Sequence, residues 1–125
     1  MQPGAIRLSI GTRWREFENG RIEMARLLAI YKTPTDVAAF DKHYFGTHIP
    51  LAKRIPGLRK YEVSQGSVAT PIGPSRFHLV ATLHFDDMMA IQNAFASAEG
   101  QATVADLQNF TTDPPDILLF DNREV

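Results

Sequence analysis

The apolar positions of this chain change period along its length. An aliphatic run, Arg26-Leu27-Leu28-Ala29-Ile30-Tyr31-Lys32, is bounded by Thr33-Pro34 and reads as a strand. After Pro34, with Thr35 or Asp36 as cap, the period becomes helical. At 100° per residue, Val37, Phe40, Tyr44, His48 and Leu51 fall within an arc of about 80°. Ala39 and His43 lie off that stripe. Pro50 has no amide donor and restricts Ile49, which predicts a kink or a restarted turn. Lys53 and Arg54 complement the helix dipole, and Pro56-Gly57 ends the helix.

A second strand is expected over Leu58 to Ser64. A loop through Thr70-Pro71-Ile72-Gly73-Pro74 then leads to a third strand over Ser75 to Asp86. Its alternation puts Phe77, Leu79, Ala81, Leu83 and Phe85 on one face, and His78, Val80, Thr82 and His84 on the other. Asp86 or Asp87 caps a second helix carrying Met88, Ile91, Phe95 and Ala98 inward, closed by Gly100. A short helix from Gln101 to about Asn109, with Val104 and Leu107 inward, precedes a last strand over Ile117 to Phe120.

The order is βαββαβ, which predicts an α+β, ferredoxin-like domain: a four-stranded antiparallel sheet with both helices on one face. The opposite face, carrying Val80, Thr82 and the histidines, needs a cover. A second copy of the same sheet supplies it, so a homodimer is expected. Residues 24–125 hold this whole pattern. Residues 1–23 read as an N-terminal extension, a leader or an upstream start, with Ile6 to Ile10 as a possible edge strand and Asn19-Gly20 as a turn.

Composition narrows the function. The 125 residues leave room for one domain, and 44% apolar with 22% charged residues is ordinary for a globular protein. A net charge of −1 and the lack of a basic, aromatic-interleaved stripe argue against nucleic acid. No apolar run reaches membrane-spanning length and no secretory signal is visible, so a cytoplasmic location is expected. The absence of cysteine excludes disulfides, thiol catalysis and cysteine-ligated metals. No phosphate-binding glycine motif and no nucleophile elbow occur, so neither a nucleotide cofactor nor a serine hydrolase is indicated.

The stretch Ala39-Phe40-Asp41-Lys42-His43-Tyr44-Phe45-Gly46-Thr47-His48-Ile49-Pro50-Leu51-Ala52, followed by Ile55-Pro56-Gly57-Leu58-Arg59-Lys60-Tyr61, resembles the EthD family, named for ethyl tert-butyl ether degradation. Leu79-Val80-Ala81-x-Leu83-x-Phe85-Asp86 and Ser97-x-x-Gly100 extend the resemblance over roughly residues 25–122. Thr82 stands where the family often has an acidic residue. The resemblance implies a homodimeric α/β barrel, with an association to oxidoreductive degradation or polyketide-type chemistry.

The residues themselves suggest acid–base chemistry. Tyr44 and His48, at i and i+4 on the inward stripe, should be neighbours, and a His–Tyr pair in an apolar layer suits proton transfer at a carbonyl or enolate. Tyr61 joins them if it shares the helix-facing side of the second strand with Val63. These three are the candidate catalytic residues, with a packed, hydrogen-bonded pair as the structural alternative. His78 and His84 are about 20 Å apart along one strand, and His43 and His48 about 140° apart on an ideal helix, so no histidine metal site is expected. The function expected is a small enzyme without cofactor, acting on an apolar aromatic or carbonyl-bearing molecule. The alternatives are a binding module for such a molecule and a structural accessory dimer.

Overall fold

The computed structural model describes residues 25–125. The sequence reading of residues 1–23, including the strand at Ile6 to Ile10, lies outside the described residues. Strand β1 (Ala25–Lys32) is followed by helix α1 over residues 37–52. Then come β2 (Lys60–Val63), a small hairpin of β3 (Ala69–Thr70) and β4 (Gly73–Pro74), and the long β5 (Phe77–Phe85). Helices α2 (Met88–Ala96) and α3 (Ala98–Asp106) run on through a 3-10 turn (Leu107–Asn109), and β6 (Asp116–Asp121) closes the fold. The main sheet has the order β2-β5-β1-β6 with every neighbouring pair antiparallel, the ferredoxin-like arrangement.

The strand alternation sets the core. Ala25, Leu27, Ala29 and Tyr31 of β1 and Leu79, Ala81, Leu83 and Phe85 of β5 are buried, and Phe40, Tyr44, Ala52, Ile91 and Ala94 belong to the same apolar cluster. Helix starts are capped as their residue types predict: the Asp36 and Asp87 carboxylates accept from the Ala39 and Ala90 amides at 3.0 and 2.7 Å. Asp86 instead takes the Arg59 guanidinium in a two-pronged bond of 3.0 and 3.2 Å. Val37, expected on the inward stripe, is the first residue of α1 and is exposed.

Three departures from the periodicity matter for the site. First, α1 is not a uniform α-helix. Val37–His43 is α-helical, Tyr44–His48 forms a π-turn, and Ile49–Ala52 resumes the α-helix. Pro50 has no N–H to give, and the Ile49 amide just before it bonds back to the Tyr44 carbonyl, five residues away. The disturbance expected at Pro50 is thus a widened turn immediately N-terminal to it.

Second, the pairing of β1 with β5 slips between Tyr31 and Lys32, so that Leu79 faces Tyr31 while Phe77 faces Lys32. His78 is the extra residue of this bulge, and a bulge re-aims side chains. His78 therefore points at α1, with its Nε2 2.8 Å from Asp41 Oδ1 and its ring edge-on to Phe40. It does not share a face with His84, as strict alternation predicts. His84 lies on the open face, 2.7 Å from Glu62 Oε1.

Third, Gly100 does not end the second helix. Ser97 breaks it, in extended conformation, and caps α3 by accepting from the Gly100 amide at 3.0 Å. Gly100 is instead where α3 crosses the end of α2. A Cβ there would collide with the Ala94 carbonyl oxygen and stand 2.7 Å from Phe95 Cα. This crossing sets the rotation of α3, so that Thr103 and Asp106 are buried while Val104, predicted inward, is exposed.

The sheet face opposite the helices has no cover from the described chain. Strand β6 is exposed along its length, including Ile117, Leu118, Leu119 and Phe120. Leu118 pairs with Leu28 and Phe120 with Arg26, which places both on the open face.

Candidate functional site

The predicted trio is assembled in the helix–sheet layer. Tyr44 and His48 are both buried on α1, their rings stacked with centroids 5.5 Å apart. Tyr61 alternates inward with Val63 on β2, as expected, and its hydroxyl shares a 2.7 Å hydrogen bond with that of Tyr44. Tyr31, on the inner face of β1, packs edge-on against both Phe40 and Tyr44 at 5.4 Å. Burial pushes all three tyrosine hydroxyls to higher pKa, so they remain protonated hydrogen-bonding groups throughout the ordinary pH range.

The centre of the site is a residue that the periodicity did not single out. Asp106, at the end of α3, is buried, and its carboxylate gathers three donors. His48 Nδ1 approaches Oδ2 at 2.9 Å, His43 Nε2 reaches Oδ1 and Oδ2 at 2.9 and 3.0 Å, and Asn109 Nδ2 donates to Oδ1 at 2.9 Å. Burial alone would raise the pKa of Asp106. The bonds from Asn109, His48 and His43 outweigh it and hold the carboxyl below its usual range. An ionised carboxylate only accepts, which settles both imidazoles: neutral His48 carries its proton on Nδ1, and neutral His43 on Nε2. Burial lowers the pKa of His48, opposed by its bond to Asp106. The opposing influence is therefore this carboxylate.

His43 and His48 meet on one carboxylate because of the π-turn. On an ideal helix, residues five apart diverge by about 140°, but a turn closed by i→i+5 bonds brings such residues back towards one side. Phe110 completes the arrangement, stacked on His43 at 5.0 Å and tilted against His48 at 4.9 Å. Asp106 and Phe110 had one legible signal. With Gly100 and Thr103 they recur at three- and four-residue spacing, the pattern of a helix face that turns inward through polar residues.

A cavity of about 730 Å³ opens beside this cluster, between the β1–α1 connection, the first turns of α1 and the segment after α3. Its floor is aromatic, from Tyr31, Phe40 and Phe110, and His43 and Asn109 also line it. Tyr44, His48 and Tyr61 do not. The side chain of His43 is 27% exposed against 5% for His48. Two imidazoles and a carboxylate are donor types that metals accept, but here the facing ring nitrogens are spent on the carboxylate itself. Among the described residues, no group of three or more His, Cys, Asp or Glu is placed to hold a metal ion, and no helix is long and apolar enough to cross a membrane.

Known proteins share this frame. An uncharacterized 11.0 kDa protein from the thcB-thcC intergenic region of Rhodococcus erythropolis is 35% identical over 102 residues, covering 82% of this chain and 98% of its own. The crystal structure of an ethyl tert-butyl ether degradation (EthD) family protein from Bacillus halodurans is 38% identical. It covers 78% of this chain and 96% of its own, with a TM-score of 0.72. SnoaB, a cofactor-independent oxygenase from Streptomyces nogalater, shares the fold at 17% identity, with coverage of 82% and 95% and a TM-score of 0.56. The model of the EthD domain matches residues 32–114, and the chain belongs to the EthD domain family.

Proposed function

We propose that the chain is a small cofactor-independent enzyme, associated with oxidoreductive catabolism or polyketide-type chemistry, acting on an apolar aromatic or carbonyl-bearing molecule. It works as a cytoplasmic homodimer without nucleic-acid or membrane partners. The observation that carries this reading is an ionised carboxylate, Asp106, buried between two imidazoles, one of which opens on a cavity with an aromatic floor. Burying a carboxylate carries a desolvation penalty of several kcal/mol, and apolar residues would fill the layer without it. Charged groups held in such a place beside a cleft mark sites where protons are moved. SnoaB supports the reading by showing that this fold can carry cofactor-independent oxygenation. The dimer is supported by the uncovered sheet face and by the exposed apolar strand β6.

The test is turnover of quinones, anthrones and ether-derived carbonyl compounds by purified protein. Activity on one class is expected, reduced at least about a hundredfold by Asp106→Asn while the dimer persists. The second reading is a dimer that binds such a molecule without transforming it, favoured by the seclusion of Tyr44 and His48 from the cavity. Saturable binding of these compounds with no turnover of any of them would make that reading the right one.

A further inference from the structure

We infer that His43 is the residue that exchanges a proton with the ligand, that Asp106 and His48 are positioning residues behind it, and that the ligand is a neutral, enolisable aromatic ketone. The inference rests on the enzyme reading above and assigns its chemistry to particular atoms.

Access decides between the two histidines. Both bond to the same carboxylate, yet only His43 lines the cavity. His48 is enclosed by the rings of Tyr44 and Phe110. His43 has what a general base needs. Its Nε2–H is engaged by both oxygens of Asp106, which leaves Nδ1 as the lone-pair nitrogen, and among the described residues Nδ1 has no hydrogen-bond partner. The Phe110 ring, at an interplanar angle of 16°, fixes the imidazole plane. His48 and Asn109 hold the carboxylate from its other sides, so that neither oxygen can swing away from His43. This is the orienting logic of a carboxylate–histidine pair, with a second histidine serving the carboxylate.

The cavity indicates the ligand. Tyr31, Phe40 and Phe110 give the lining an apolar, aromatic part, and the half-buried Phe110 is the most accessible of the three. Charge on the rim is balanced, Lys32 and Lys42 against Asp36 and Asp113, which gives a carboxylate ligand no net attraction. Gln108 and Asn109 place amides there, suited to a carbonyl oxygen. In the proton step, a C–H bond next to the carbonyl breaks and its electron pair stays on the ligand as an enolate. The proton forms an N–H bond at His43 Nδ1, and the resulting imidazolium is paired with the Asp106 carboxylate. Return of a proton reverses the step, so no oxidant or other reactant is required.

The experiment is hydrogen–deuterium exchange at C1 of 2-tetralone, a neutral bicyclic ketone, followed by proton NMR in heavy water. The native protein is expected to accelerate exchange about a hundredfold or more. His43→Asn should return it to the buffer rate, and His48→Asn should lower kcat by up to about a hundredfold with KM unchanged. In parallel, diethyl pyrocarbonate should modify His43 in the native protein, mapped by mass spectrometry, and 2-tetralone should protect it where 2-naphthoate does not. Exchange that survives His43→Asn and disappears with His48→Asn overturns the assignment and leaves the enzyme reading standing. Absence of exchange with the native protein, while the ketone still protects His43, overturns the proton step and leaves a binding site at His43, with the enzyme reading then decided by turnover of the quinones, anthrones and ether-derived compounds. Absence of protection removes the ligand site itself, and equal protection by 2-naphthoate refutes the preference for a neutral ligand.

Discussion

Replacing Asp106 by asparagine changes few atoms and disturbs the site strongly. Asparagine keeps one acceptor oxygen, but its amide is a donor placed among three donors, from His43, His48 and Asn109. At least one buried donor loses its partner, at a cost of about 1–3 kcal/mol, and the charge-assisted bonds become neutral ones. A loss of about 2–3 kcal/mol at pH 7 is expected. The pH dependence tests the cause. Folded Asp106 has a depressed pKa, so its contribution is present above the unfolded value of about 3.9 and lost as pH falls through the folded one. Folded His48 also has a lowered pKa, so the unfolded chain takes up a proton at His48 first as pH falls below about 6.5, which costs stability. In Asp106→Asn the acid loss due to residue 106 disappears. The His48 loss becomes larger, because the carboxylate that opposed the burial of His48 is gone. The assay is urea unfolding from pH 2 to 8 on the native protein, both single variants and the pair Asp106→Asn with His48→Asn. The double-mutant cycle should give a coupling of about 1–3 kcal/mol. A coupling below about 0.5 kcal/mol, or an Asp106→Asn protein as stable as the native one at pH 7, would refute the reasoning.

Gly100→Ala should destabilise by about 1–3 kcal/mol in the same urea assay, because the Ala94 carbonyl and Phe95 backbone cannot move aside without shifting α2. Gly46→Ala, where nothing lies within 4 Å of the added carbon, should be neutral or stabilising by up to about 1 kcal/mol. Tyr44→Phe removes the 2.7 Å bond to Tyr61 and should cost about 1–3 kcal/mol by thermal or chemical melts, while Tyr61→Phe leaves Tyr44 unpaired at similar cost. Light scattering should give about 28 kDa, twice the 14.0 kDa chain, and Leu118→Glu on the open face should shift the protein to monomer without unfolding it. A native protein that stays monomeric at micromolar concentration defeats the dimer proposal.

The order of elements was legible in the residues, because strand and helix periods differ and each change is marked by Pro, Gly or Asp. The continuous apolar run of β1 left its buried face to the tertiary structure, whereas strand β5 alternates strictly, so Leu79, Ala81, Leu83 and Phe85 could be placed from the pattern alone. The same holds for Tyr44 beside His48, and for Tyr61 inward with Val63, since both rest on local spacing. Tertiary structure decided what local spacing cannot express. A bulge re-aimed His78, a π-turn drew His43 towards the side of His48, and a glycine crossing rotated α3 to bury Asp106 where Val104 had been expected. Each is a one-residue change of register, and one residue is enough to exchange the faces of a strand or helix. The carboxylate that joins the two histidines lies about sixty residues from them in the chain. Its position depends on how two helices pack, and periodicity within either helix carries no information about that packing.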